Sequence, residues 1–115
     1  MQRVTLVRYT AKPNRAAENE TLARAVFAEL RAAAPKHVAY ALFRDGADFV
    51  HLFINFQADD SSAITELPTF KVYVKDIVER CEAPPEQTRL GVRLLESYGL
   101  TSAMTTSMTT AMAPA

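Results

Sequence analysis

The sequence predicts an α+β fold of split-βαβ, ferredoxin-like type: a four-stranded antiparallel sheet with two helices on one face. Three observations predict it. Periodic segments come in the order β-α-β-β-α-β, a tight Asp45-Gly46-Ala47 turn joins the two middle strands, and a strong helical stripe precedes the last strand. The length of 115 residues allows one such domain, expected over residues 1–99 with a low-complexity tail over 100–115.

The first strand is read over residues 4–10, rich in β-branched residues and closed by Lys12-Pro13-Asn14. Asn14 is the expected N-cap of the first helix, with Glu18 and Glu20 near the positive end of its dipole. Leu22, Ala23, Val26, Phe27, Leu30 and Ala34 then recur at helical spacing until Pro35, while Arg24, Glu29 and Arg31 fall off that face. Residues 37–45 and 48–57 form the hairpin strands. One irregular turn is expected over residues 61–66, ahead of Pro68 at the start of the second helix. There Phe70, Tyr73, Val74, Ile77, Val78 and Cys81 fall at i, i+3, i+4, i+7, i+8 and i+11, and Lys71, Lys75, Asp76, Glu79 and Arg80 lie off the stripe. Pro84-Pro85 ends it, and residues 88–98 supply the fourth strand.

The strands are apolar on both faces. In the third, Val50, Leu52, Ile54 and Phe56 are assigned to the helices, which leaves Phe49, His51, Phe53 and Asn55 on the open side. The second strand sets Val38, Tyr40 and Leu42 against Ala39, Ala41 and Phe43, and the first sets Val4 and Leu6 against Val7 and Tyr9. A sheet covered on one side only shows polar residues on its other side. Covering several hundred Å2 of apolar surface at ~25 cal/mol per Å2 is worth on the order of 10 kcal/mol before association costs. A homodimer, sheet against sheet, is therefore expected.

The chain, 49% hydrophobic and 23% charged, has the composition of a globular protein. Its thirteen basic and thirteen acidic residues cancel and form no long runs, which argues against nucleic-acid or anionic-membrane binding. No apolar stretch approaches the ~20 residues of a membrane span. A single cysteine, Cys81, and the lack of a signal-peptide pattern point to the cytoplasm. Two histidines and one cysteine match no metal-ligand spacing, and three glycines build no phosphate loop, so no cofactor is expected.

The opening VTLVRYTAKPNRAAEN, the hairpin ALFRDGADFVHLFINF and the ELPTF segment before the second helix resemble the dimeric α/β-barrel superfamily, within it the antibiotic-biosynthesis-monooxygenase-like domains. The resemblance covers roughly residues 4–99. It implies two sheets packed face to face, with a cavity between sheet and helices in each protomer. Some members oxidise quinols or polyketide aromatics without metal or flavin, and some degrade haem. This chain has Pro68-Thr69-Phe70 where oxidising members commonly carry Pro-His-Phe, and it lacks the Trp that haem-degrading members use.

His51 is the leading catalytic candidate. On a face with Phe49, Phe53 and Asn55, a neutral imidazole is positioned to act as general base on a phenol or enol, with Asn55 binding the oxyanion. Alternatively the two polar residues hydrogen-bond each other or the backbone across a dimer seam. Tyr9 and Tyr40 are expected to line the same cavity as ligand-binding residues, with Phe49 and Phe53. Arg8 and Arg44, at strand ends, are candidates for pairing an anionic substrate; His37 reads as a surface residue, and Tyr73 and Cys81 as core. Two functions fit this pattern: a cofactor-independent monooxygenase or isomerase-like enzyme on a small aromatic or quinoid molecule, or a non-catalytic ligand-binding or interaction dimer. The tail carries Met104, Met108 and Met112 at four-residue spacing, one side of a helix that would dock on apolar surface.

Overall fold

The computed structural model describes residues 2–57 and 62–100. The tail beyond residue 100 and its three methionines lie outside the described residues. Strands β1 (Gln2–Thr10), β2 (Val38–Asp45), β3 (Asp48–Asn55) and β4 (Glu86–Val92) form one antiparallel sheet in the order β2-β3-β1-β4. Helix α1 (Ala16–Ala33) and the short helices α2 (Ser62–Thr65), α3 (Pro68–Lys75) and α4 (Ile77–Arg80) fill the two crossovers. This is the split-βαβ arrangement expected.

Local chemistry accounts for the boundaries. Gly46 takes φ 60° in the two-residue loop between Asp45 and Asp48, a conformation in which a Cβ is strained. The 3-10 turn Pro13–Arg15 leads into α1, and Arg15, not Asn14, holds the N-cap position. No side chain caps that end; Arg15 and Glu18 make a two-pronged ion pair at 2.7 and 3.0 Å across its first turn instead. Helix α1 ends on Ala34 in the left-handed region, its N–H donating to the Leu30 carbonyl, and Pro35 prevents continuation. His37, half-buried rather than on the open surface, accepts at its carbonyl from the Phe56 N–H at 2.8 Å.

Helix α3 starts with Pro68 at its first position, and Glu29 of α1 supplies the cap. One Glu29 carboxylate oxygen accepts from the Thr69 N–H at 3.0 Å and from the Thr69 hydroxyl at 2.6 Å. That places a negative charge on the positive end of α3 and ties the two helices together. The Thr69 hydroxyl, then its N–H, holds the Glu29 carboxyl below its usual range.

The second helical stripe is interrupted. Asp76, at φ −122° and ψ 27°, breaks the helix into α3 and α4 and rotates the second piece relative to the first. Tyr73 and Cys81 remain buried, but Val78 is 56% exposed and Arg80 turns inward to 1% exposure, opposite to what an unbroken helix requires. Two backbone hydrogen bonds lock this turn to the end of β1, Lys12 N–H to the Arg80 carbonyl and Glu82 N–H to the Thr10 carbonyl, which together make the Ala11–Cys81 bridge. Strand β4 begins at Glu86 and stops at Val92, short of residue 98; Leu95 and Tyr98 are exposed.

The faces of β3 are the reverse of the expectation. Phe49, His51 and Asn55 are buried beneath the helices with Thr5, Tyr9 and Val38. The opposite parity (Val4, Leu6, Val50, Leu52 and Ile54) is only half-buried, and Phe43 and Leu90 are more than half exposed. Both parities are apolar, so alternation alone does not choose between them. Hydrogen bonding does: His51 and Asn19 need buried partners, which only the helix-covered side provides. The open face stays free of polar demands.

Phe49, 1% exposed, is the aromatic centre of this core, stacked on Tyr9 at 5.4 Å. Phe49→Ala is expected to cost about 3–5 kcal/mol in urea denaturation, whereas Val78→Ala, on the rotated and exposed turn, stays within about 0.5 kcal/mol.

Candidate functional site

A cavity of about 400 Å3 lies between the sheet and α2–α4, within the range of small-molecule sites. Its aromatic and aliphatic wall includes Phe53, Phe70, Val74 and Ile77, and its polar groups come from all four strands, α2 and α3.

At one end a hydrogen-bond chain surrounds His51. Tyr40 Oη lies 2.6 Å from Nδ1, and Tyr9 Oη 2.8 Å and Tyr73 Oη 3.1 Å from Nε2; Tyr9 and Tyr73 hydroxyls are 2.6 Å apart. Behind them, Arg80 Nε donates to Asn19 Oδ1 at 3.1 Å, and Asn19 Nδ2 donates to Tyr9 Oη at 2.8 Å. Arg80 also donates to the Tyr73 carbonyl and lies 5.3 Å over the Tyr73 ring.

Donor counting limits the states of this chain. A guanidinium only donates, so Asn19 turns its oxygen to Arg80 and its NH2 to Tyr9. Tyr9 then has one lone pair and one proton left. If Tyr9 donates to His51 Nε2, Tyr73 donates to Tyr9, His51 carries its proton on Nδ1 and donates to Tyr40, and the Tyr40 proton is left over. In the opposite polarity Tyr40 donates to Nδ1, Nε2–H donates to Tyr9, Tyr9 donates to Tyr73, and the Tyr73 proton is left over. Both Tyr40 and Tyr73 line the cavity. The chain thus presents one spare donor there, and shifting its protons exchanges which tyrosine holds it.

Burial lowers the His51 pKa to about 4, keeping the ring neutral at physiological pH, and lifts the Tyr9, Tyr40 and Tyr73 phenols above their usual range. Cys81 is a buried free thiol whose pKa burial raises, as expected of inert core.

Asn55 stands apart from His51, four residues along β3 and on the same face, ~13 Å at ~3.3 Å per residue. No hydrogen bond joins the two. Asn55 Oδ1 accepts from the Gln57 N–H at 2.9 Å, which leaves its buried Nδ2 with no partner among the described residues. Of the other expected site residues, Tyr9, Tyr40 and Phe53 line the cavity; Phe49 does not, being the layer behind Tyr9. Arg8 and Arg44 do not line it either: Arg44 pairs with Glu20 at 2.7 Å. Sequence reasoning missed Tyr73, Asn19 and Arg80 as members of the site, and Arg3 and Arg89 on its wall. Tyr73, the one hydroxyl on the helical stripe, was the available signal; nothing in the spacing marked Arg80.

No protein-family model and no curated protein matches the sequence. Solved structures do. The Mycobacterium tuberculosis protein Rv0793 superposes with a TM-score of 0.72 at 17% identity, covering 84% of this chain and all of that one. A Nitrosomonas europaea protein described as an antibiotic biosynthesis monooxygenase gives 0.67 at 14% identity, over 79% of this chain and 89% of that one. A mutant of SnoaB, a cofactor-independent oxygenase from Streptomyces nogalater, gives 0.59 at 18% identity, over 82% and 95%. The chain therefore has the α+β, ferredoxin-like fold of these structures. Its fold is thus like that of antibiotic-biosynthesis-monooxygenase-like proteins. Among the described residues no helix is long and apolar enough to cross a membrane, and no group of His, Cys, Asp or Glu is arranged to hold a metal.

A histidine that folding keeps neutral carries a stability signature. The unfolded side chain binds a proton below pH ~6.5 and the folded one only near pH 4, so its contribution is full above about 6.5 and is lost as pH falls toward 4. The loss amounts to at most about 3 kcal/mol. Subtracting the pH profile of His51→Gln from that of the native chain in urea denaturation isolates this slope; parallel profiles would show that His51 is not held neutral.

Proposed function

We propose that the chain is a homodimeric, cofactor-independent oxygenase that deprotonates a small aromatic or quinoid hydroxyl compound inside each protomer. The observation carrying this reading is the Tyr40–His51–Tyr9–Tyr73 chain, whose two ends both reach the cavity. A ligand hydroxyl beside the tyrosine lacking the spare proton donates into the chain, and His51 is the group able to accept that proton. The unpartnered Asn55 amide is available to an oxygen at the far end of the ligand. The oxyanion left on the ring is electron-rich enough to reduce dioxygen itself. A naphthol-type substrate then takes one oxygen atom at a ring C–H while the other leaves as water, giving a quinone.

The dimer follows from the open face. Val4, Leu6, Val50, Leu52 and Ile54, extended by Phe43 and Leu90, make an apolar surface that a second copy of the sheet covers. The reading sets the protein in the cytoplasm, where a lone free thiol is the norm.

A second reading has its own observation. Both His51 nitrogens are already hydrogen-bonded, and burial makes the ring a weak base, which suits a binding dimer without turnover. Oxygen uptake and quinone absorbance over a panel of naphthols and quinols separate the two. Turnover that stops without oxygen and falls about 100-fold or more in His51→Ala supports the oxygenase; ligand binding with no oxygen uptake supports the binding dimer. Turnover indifferent to His51→Ala rules out catalysis through the chain. In sedimentation, native protein at micromolar concentration is expected at about twice the 12.7 kDa chain mass, and Leu52→Lys at the single-chain mass.

A further inference from the structure

The proton-transferring chain occupies one end of the cavity. The other end has a different character. Arg3 on β1 and Arg89 on β4 both line it, on the same sheet face and diagonally adjacent, because Arg89 pairs with Thr5 two residues along from Arg3. Neither makes an ion pair or hydrogen bond with any described residue. Four other arginines are engaged: Arg15 with Glu18, Arg24 and Arg44 with Glu20, and Arg80 with Asn19 and Tyr73. Arg8 and Arg93 also lack a partner among the described residues, but they do not line the cavity. No carboxylate is among the described residues lining the cavity, and its only histidine is neutral. The Asn55 amide, buried and unpartnered, stands opposite Arg3 in the β1–β3 register. Its oxygen is consumed by the Gln57 N–H, so it offers this end donors only. Two guanidiniums and an amide, with no carboxylate among the described lining residues and only the neutral Thr5 and Gln87 beside them, form an anion site.

The register also gives a length. Val7 lies opposite His51, Thr5 opposite Arg89, and Arg3 two residues farther. The arginines therefore sit two to four residues along β1 from His51, ~7–13 Å at ~3.3 Å per residue. A fused two-ring aromatic with substituents at opposite ends spans the shorter part of that interval, and flexible arginine side chains close the remainder.

We infer that Arg3 and Arg89, with the Asn55 amide, bind the anionic group of the ligand, so that the cavity selects aromatic hydroxy acids with the hydroxyl toward His51 and the carboxylate toward the arginines. This rests on the reading of the cavity as a small-aromatic site, and it adds the charge and polarity of the ligand. The anion in the arginine pair fixes which oxygen of the ligand faces the proton chain.

Two ligands that differ only in the carboxylate test it: 6-hydroxy-2-naphthoate and 2-naphthol. The chain has no Trp, so naphthalene fluorescence tracks binding directly. The hydroxynaphthoate is expected to bind the native protein about tenfold or more tightly than 2-naphthol at low salt. That margin is expected to shrink as salt rises and to vanish in Arg3→Gln/Arg89→Gln. Arg89→Gln alone, on the exposed edge strand, serves if the double variant fails to fold, and is expected to reduce the margin. Equal binding of the two ligands by the native protein, or a margin that survives the arginine substitutions, overturns the anion site and leaves the aromatic cavity standing. If neither ligand binds, the cavity reading falls and the anion site with it.

Discussion

A neutral histidine buried among three phenols is the constraint around which this domain is organised. His51 has two ring nitrogens and one proton, so in the core it requires a donor on one side and an acceptor on the other. Tyr40 from β2 and Tyr9 from β1 meet those needs from the flanking strands, and Tyr73 comes down from α3 to close the set. A hydroxyl both donates and accepts, so tyrosines satisfy either ring tautomer; carboxylates would instead have pulled the ring into its charged form. The demand explains which way β3 faces, why α3 carries a phenol on its packing side, and why the cavity has a polar end.

The same constraint shows what was legible from residues alone. Strand order, the Gly46 hairpin and the two crossovers are local matters, written in turn chemistry and periodicity, and they agree with the folded chain. Face assignment is not local. In β3 both parities are apolar, and Val50, Leu52, Ile54 look more core-like than Phe49, His51, Phe53. Only the polar partners arriving from α1, α3 and α4 decide the matter, and those are distant in sequence: Tyr73 is 64 residues from Tyr9, and Arg80 is 61 from Asn19. His51, Tyr9 and Tyr40 were identifiable as a group because strand periodicity places them together. Their relation to Asn55 was not, because strand periodicity gives a face without saying how far apart two residues act.

Helix α4 is where pattern reading fails for an identifiable cause. Phe70 to Cys81 fit one helical face, but the fit assumes continuous 3.6-residue winding. The break at Asp76 moves Val78 into solvent and Arg80 into the core. An arginine scores as a surface residue in any hydropathy pattern, so its burial leaves no trace in the sequence. The backbone links from Lys12 and Glu82 hold the turn in an orientation in which the guanidinium reaches Asn19.

Arg80 raises the remaining energetic question, since a buried cation without a carboxylate is costly. Its hydrogen bonds to Asn19 and to the Tyr73 carbonyl, and the Tyr73 ring beneath it, replace part of the lost hydration but supply no counter-charge. The positive charge acts on Tyr9 and Tyr73, partly offsetting the burial that raises both phenols. With Arg80 behind the proton chain and Arg3 and Arg89 on the opposite wall, the cavity lies between cationic groups at both ends and has no described carboxylate of its own. A neutral ligand gains nothing from that field. An anion gains from it, whereas Arg80 itself also acts through space on the Glu18 carboxylate. Anything that binds only the folded chain stabilises it by mass action, so a ligand held in this cavity raises the stability of the core around it.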